Sequence, residues 1–289
     1  MLYGGIEAGG TKFVCAVADE TKVIERVVID TRGPQETMAD VIAFFEQYEI
    51  VALGIGCFGP IDINPNSPTY GYILSTPKIA WQQYDFLGAL KAKFAIPMYF
   101  ETDVNVAAFG ESILGAAQDV RSCVYYTIGT GVGGGYVANG EFLKTLLHPE
   151  MGHFHLKRLP DDEFVGHCPF HKDCVEGLVA GPAIEARAGK KAYDLAKDDQ
   201  IWEITAKYIA QLLQTTTMIL SPERIILGGG VMKQEQLFPL VRKYFLEYVA
   251  DYIDFKGLGV DMETYIVPPG IPDQSAILGA IELAKSLVK

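Results

Sequence analysis

Basic residues are in short supply. The 24 lysines and arginines face 36 aspartates and glutamates, a formal net charge of −12. Such a surface repels phosphate polymers and anionic lipid, which argues against nucleic acid or a membrane surface as partner. Any anionic ligand must therefore be met by local donors such as backbone amides, a lysine or a metal ion. No basic leader or apolar signal core stands ahead of Gly4-Gly5-Ile6, so secretion is not expected. Long apolar runs are also missing. The longest charge-free stretch, Ser122 to Gly140, is broken by six glycines and reads as two short β-rich pieces rather than a membrane span. Cysteine is sparse, and five is an odd number. Cys15, Cys57 and Cys123 lie in apolar runs and read as buried, reduced thiols of a cytoplasmic chain. With 289 residues that are 49% hydrophobic, neither a small disulfide-stapled module nor a disordered chain is possible.

Glycine, by contrast, is plentiful and clustered, at 30 residues against 15 prolines. At about 150 residues per domain the length suggests one large or two ordinary domains. Strand and helix patterns alternate, which indicates an α/β class. An antiparallel meander is predicted from Ile6, residues 13–17 and residues 23–29. Helices are expected over 38–47, 86–94 and 104–116, with strands at 50–56 and 98–100. The pattern restarts near Asp119 with a strand at 123–128, a glycine loop at 129–135 and a strand at 136–138 closed by Asn139-Gly140. A helix over 201–220, a strand at 224–227, a turn at 228–230 and helices over 237–252 and 276–288 follow. Both halves open with strand, glycine turn, strand, a weak internal repeat. The expected domains are 1–118 and 119–275, facing each other across a cleft, with a C-terminal helix at about 276–289 packing back on the first.

The glycine clusters do not fit the better-known nucleotide loops. Gly54-Gly56-Gly59 and Gly129-Gly131-Gly134 match GxGxxG, but neither opens a helix that could present amides to pyrophosphate. Gly5 to Gly10 has P-loop spacing, yet Thr11-Lys12 reverses the P-loop order and a strand follows. What remains is a phosphate cradle at a β-hairpin turn, where glycines bring successive amides close to an anion. Thr11, Lys12 and Thr130 would add hydroxyl and ammonium donors. Ligand-free tight turns are the alternative.

Four motifs, taken together and in this order, resemble the bacterial ROK sugar kinases. They are Gly9-Gly10-Thr11-Lys12, Glu101-Thr102-Asp103-Val104-Asn105, the run Gly129 to Gly135, and Glu150-Met151-Gly152-His153. Residues 6–13, with Cys168-Pro169-Phe170-His171-Lys172-Asp173-Cys174, look more narrowly like the fructokinase branch. The resemblance implies a two-domain actin/hexokinase-like (ribonuclease H-like) fold with a central cleft. It also implies ATP and Mg2+, transfer of phosphate to a hexose 6-hydroxyl, and a homodimer.

Phosphoryl transfer asks a protein mainly for positioning and charge neutralisation. A sugar hydroxyl is a poor nucleophile at neutral pH, so a carboxylate within reach should accept its proton. The resemblance gives that role to Asp103, at a strand's carboxyl end, where α/β ligand sites cluster. From spacing alone an ordinary helix N-cap is the competing role. Glu7 stands where many family members have Asp and would help hold magnesium through water. Family analogy assigns sugar-hydroxyl contacts to Glu150, His153 and Glu176, and Thr102, directly before the base, is expected at the sugar as well. Glucose-type members carry Asn at position 102 and Pro-Asn-Leu where this chain has Pro77-Lys78-Ile79. Their loss favours fructose over strict glucose use, with broader hexokinase activity or a catalytically silent sugar-binding regulator as alternatives. Gly9, Gly10, Thr11 and Lys12, with Thr130 and Gly131, are expected near the phosphates. Gly181-Pro182 and Gly229-Gly230-Val231-Met232 would border the adenosine.

Cys168-x2-His171-x2-Cys174 with one upstream histidine suits tetrahedral, structural Zn2+, since four protein ligands leave no open position. His153, His155 and His167 compete for the fourth place. The resemblance favours His153, as the family's link between sugar and zinc. One ring nitrogen could then bind metal while the other meets the hexose.

Overall fold

The computed structural model describes residues 1–288. The chain opens with β1 (Leu2–Ala8), β2 (Lys12–Ala18) and β3 (Val23–Asp30), then α1 (Pro34–Phe45) and β4 (Ile50–Cys57). A short hairpin of β5 (Tyr72–Ile73) and β6 (Tyr84–Asp85) leads to α2 (Phe86–Lys91), β7 (Met98–Thr102) and α3 (Asp103–Leu114). The series restarts with β8 (Ser122–Ile128), β9 (Val132–Ala138) and β10 (Glu141–Phe142), then α4 (Val175–Val179), α5 (Gly181–Ala188) and α6 (Gln200–Leu220). It closes with β11 (Arg224–Gly228), α7 (Leu237–Val249), α8 (Met262–Tyr265), β12 (Ile266–Val267) and α9 (Ser275–Ser286). Among the described residues no helix is long and apolar enough to cross a membrane.

Two five-stranded sheets result, ordered β3-β2-β1-β4-β7 and β10-β9-β8-β11-β12. Counted along the chain, each sheet places its strands third, second, first, fourth, fifth, so the repeat hinted at by two glycine turns extends to whole sheets. Residues 1–118, 135–149 and the chain from Asp273 make one compact unit; residues 119–134 and 150–272 make the other. The boundary falls inside β9, between Gly134 and Gly135.

In the first unit, β1 pairs antiparallel with β2 and parallel with β4, which pairs parallel with β7. Alternation sends Phe13, Cys15 and Val17 of β2 into one core with Leu53, Ile55 and Phe45. Val14 and Ala16 face the other way, with Ala52, against Ile277 and Ile281 of α9. The glycines on that second face are there for close approach. A Cβ on Gly54 would lie 1.8 Å from the Ala280 carbonyl oxygen, and one on Gly56 3.1 Å from the Asp103 Cα. The Gly54-Gly56 pair therefore paves a strand beneath two helices. In the second unit, β8 and β12 flank β11 in parallel, and α6 buries Trp202, Tyr208, Leu212 and Leu213.

Several element bounds differ from expectation. The helix predicted to start at 38 starts at Pro34, whose fixed φ suits a first helical position. The predicted loop 129–135 shortens to a turn, because β9 begins at Val132. Gly135 is strand, and bare because a Cβ there would sit 2.2 Å from the Val104 carbonyl oxygen.

Candidate active site

In the first unit the strand ends set out an acidic row. Register aligns Glu7 of β1 with Gly56 of β4, and Gly56 with Glu101 of β7, so the three residues share one face. The absent side chain of Gly56 is what lets the start of α3 settle on this row, with Asp103 as its first residue. The N-cap role that spacing had offered Asp103 belongs to Thr102, whose Oγ1 accepts from the Asn105 amide at 3.2 Å. Asp103 is half-buried, and its Oδ1 accepts from the Val104 amide at 2.9 Å. Thr102 is only 3% exposed, so its hydroxyl serves the helix.

The support beneath is polar and buried. Glu101 Oε1 accepts from the Thr102 amide at 2.8 Å and from Asn105 Nδ2 at 3.0 Å. Asn105 Oδ1 in turn accepts from the Tyr136 amide at 3.1 Å. Glu101 and Asn105 stand inside the Asp103 motif, but nothing local in the sequence marks this bracing role. Burial pushes the Glu7 carboxyl above its ordinary range; Lys12 and Arg26 oppose the shift and Asp273 reinforces it. A half-buried, desolvated carboxyl of this kind gains from a hard cation, and as an oxygen donor Glu7 fits Mg2+ chemically.

The turn after β1 is held by its own backbone. The Gly9 amide donates to the Lys12 carbonyl at 3.0 Å, and Thr31 Oγ1 donates to the Gly9 carbonyl at 2.8 Å. Gly10 and Thr11 occupy its tip.

In the second unit three glycine segments converge. The Gly129 amide donates to the Gly131 carbonyl at 2.9 Å, and the Gly181 amide donates to the Gly129 carbonyl at 2.7 Å. A Cβ on Gly129 would lie 3.5 Å from the Gly230 amide nitrogen. Gly229 stands at φ 90°, a left-handed conformation that glycine adopts freely. Thr130 and Gly131, the Gly181-Pro182 start of α5 and Gly229-Gly230 thus meet in a surface of bare backbone. Val231 and Met232 follow in a short helical turn and are buried.

Glu176 joins this surface to the cysteine-rich loop. Its Oε2 accepts from the Val132 amide at 3.1 Å and lies 3.9 Å from His153 Nε2. Gly152 passes so close to β9 that a Cβ would stand 1.9 Å from the Val132 carbonyl oxygen. The Glu150 side chain meets solvent, yet burial and then the Glu176 carboxylate push its carboxyl up to about 7.

His153, Cys168, His171 and Cys174 each offer one ligand atom, all within 4.8 Å of one another. His153 Nδ1 lies 3.8 Å from Cys168 Sγ and 3.7 Å from Cys174 Sγ, and His171 Nδ1 lies 3.9 Å from Cys168 Sγ. A tetrahedral zinc ion with bonds of about 2.3 Å to sulfur and 2.0–2.1 Å to nitrogen would space its ligands roughly 3.3–3.8 Å apart. The donor set and its spacing fit zinc. Reciprocal backbone bonds between Cys168 and Lys172, at 3.1 and 3.0 Å, form the knuckle. Burial above all pushes the Cys174 thiol up to about 12, a shift that a bound cation would reverse. His155 lies outside the four and pairs with Asp173 at 3.5 Å; His167 is outside as well.

A profile of the ROK family matches residues 3–287. A fructokinase from Pediococcus pentosaceus is 48% identical over 100% of this chain and 99% of its own length. One from Streptococcus mutans is 47% identical over 99% of this chain and 98% of its own. Among solved structures, the ROK hexokinase from Thermus thermophilus matches with a TM-score of 0.80 at 26% identity, covering 100% of this chain and 99% of that one. The mixed α/β architecture with its two like-ordered sheets is the actin-like one of these sugar kinases. The chain belongs to the ROK family.

Proposed function

We propose that this protein is an ATP-dependent fructokinase that transfers the γ-phosphoryl group of ATP to the 6-hydroxyl of D-fructose. The observation that carries the reading is likeness to fructokinases across the whole chain, at 48% and 47% identity. Asp103 accepts the hydroxyl proton as the new oxygen–phosphorus bond forms. Its helix-terminal position is rigid, because Thr102 caps the helix and Glu101 and Asn105 lock the strand end. The turn Gly9 to Lys12, the bare backbone around Thr130, Gly131, Pro182, Gly229 and Gly230, and the adjoining turn of Val231 and Met232 bind the nucleotide. Mg2+ held by Glu7 through water supplies charge neutralisation on the phosphates when bound. Glu150, Glu176 and the Nε2 side of His153 bind sugar hydroxyls, a dense set of donors and acceptors.

The Cys/His cluster holds a structural Zn2+, with Nδ1 of His153 on the metal, so the metal orients a sugar-binding ring. The enzyme acts in the cytoplasm as a homodimer. The decisive experiment is an ATP-coupled panel of fructose, mannose, glucose and N-acetylated hexosamines. Fructose should exceed glucose in kcat/KM by about 100-fold, a discrimination that lost hydroxyl contacts can supply. Equal or better use of glucose would overturn the assignment.

A further inference from the structure

Lys12 is not the sole cation on the turn after β1. A Cβ built on Gly10 would lie 3.0 Å from Lys78 Cε and 4.0 Å from its Cδ. The outer methylenes of Lys78 therefore cross the tip of the turn, and the ammonium, one bond beyond Cε, extends past the tip, more than 4 Å from that Cβ position.

The backbone that carries Lys78 is firmly held. Lys78 opens the short helical turn Ile79–Trp81, and the Trp81 amide donates to its carbonyl at 2.8 Å. Trp81 is 1% exposed. Its Nε1 donates to the Arg32 carbonyl at 2.8 Å, and its ring lies 5.5 Å from that of Phe13, which follows Lys12 in β2. Gln82 Nε2 closes the loop on the Thr76 carbonyl at 2.9 Å. The anchor of the loop is thus the residue next to the turn. Ion pairs hold Lys144, Lys207, Lys243 and Lys285, whereas Lys78 has no carboxylate partner among the described residues. An ammonium left without a carboxylate, in a chain with 36 acidic residues, is available for an anion.

We propose that Lys78 is a second phosphate-directed cation, which donates to the γ-phosphoryl oxygens of ATP and follows that group through transfer. The proposal rests on the kinase reading above. In the step, the sugar 6-oxygen forms a bond to the γ-phosphorus and its proton passes to Asp103. The bond from that phosphorus to the bridging oxygen breaks, and its electron pair leaves on ADP. The moving group spreads charge over its three equatorial oxygens. A mobile ammonium suits a target that shifts between donor and acceptor, where a backbone amide is fixed. The position also differs in kind from the Pro-Asn-Leu of glucose-type members: a charge toward phosphate stands where an amide would read a hydroxyl.

The test uses Lys78→Met, which keeps the arm without its charge, and Lys78→Arg. Calorimetric titrations with ADP and with the non-hydrolysable analogue AMPPNP should separate the phosphates. Lys78→Met is expected to bind AMPPNP about tenfold more weakly, the cost of one charge-assisted contact, with ADP affinity unchanged. Its kcat should fall about 30-fold while the fructose KM stays within about threefold, the pattern of a contact that strengthens in the transition state. Lys78→Arg should recover most of the AMPPNP affinity. Equal loss for both nucleotides, loss for neither, or a raised fructose KM at full kcat would each overturn the proposal. A wild-type protein inactive on fructose, with the AMPPNP difference intact, would sink the fructokinase reading alone.

Discussion

At the scale of single residues, the proposed chemistry comes down to where one carboxylate is held. Asp103 opens α3, over a strand position made bare by Gly56, and its neighbours do the structural work on either side. Thr102 caps the helix and Glu101 braces the strand end. Asp103→Asn keeps size and helix position, so sugar binding should stay within about threefold while kcat falls about 10³-fold, within the range for general acid–base catalysis. A coupled assay and a fructose titration read the two quantities separately; a rate near wild type would remove Asp103 from the role of base. The motif around Asp103 was visible in the sequence, since an acid after a short apolar strand and before a helical pattern is a local signal. The division of labour was not. Spacing alone offers the N-cap role to Asp103, and only the backbone geometry at the junction gives it to Thr102.

At the scale of elements, most strands of both sheets were legible as short apolar or alternating runs bounded by turn residues, whereas the two-residue strands β10 and β12 are too short to carry such a pattern. What the glycines do was not legible. Gly54 and Gly56 mimic half of a nucleotide fingerprint, yet their partners are Ala280 and Asp103, far away in the chain. The α3–α9 crossing repeats the device. A Cβ on Gly110 would lie 2.1 Å from the Ser275 carbonyl oxygen, and one on Gly279 2.1 Å from the Val106 carbonyl oxygen. The same crossing buries Glu111, whose carboxylate accepts from Ser275 Oγ at 2.6 Å and from the Ala116 amide at 2.7 Å. Backbone oxygens cannot swing aside as a side chain can, so an added methyl must push the helices apart. Gly279→Ala should therefore cost about 3 kcal/mol, the upper part of the usual overpacking range. A urea titration measures it, and a loss below about 1 kcal/mol would mean that α9 is free to slide.

At the scale of the whole molecule, the chain repeats one sheet order but does not stabilise its two units by the same means. The first unit has α9 across its sheet and a continuous aromatic core. The second carries the long segment 150–174, which contains no helix and only isolated bridges. Two thiols and two imidazoles gather on that segment, and binding of a structural ion would tie it down. Binding free energy that appears only in the folded state is folding free energy. Elemental analysis of desalted protein should thus find about one zinc per chain. Removing it should act on one unit and spare the other, so the protein should cease to melt as a single two-state body. In scanning calorimetry the metal-depleted protein should show one transition moved down by about 10 °C or more and one near its original place; a loss of a few kcal/mol has that size in a domain of this length. Fructose affinity should fall with the lower transition, since Glu150, His153 and Glu176 flank the knuckle, whereas AMPPNP affinity should change little. Added zinc should restore both readings. A protein that melts and binds fructose identically with and without chelator would show that the four side chains are neighbours without an ion to hold.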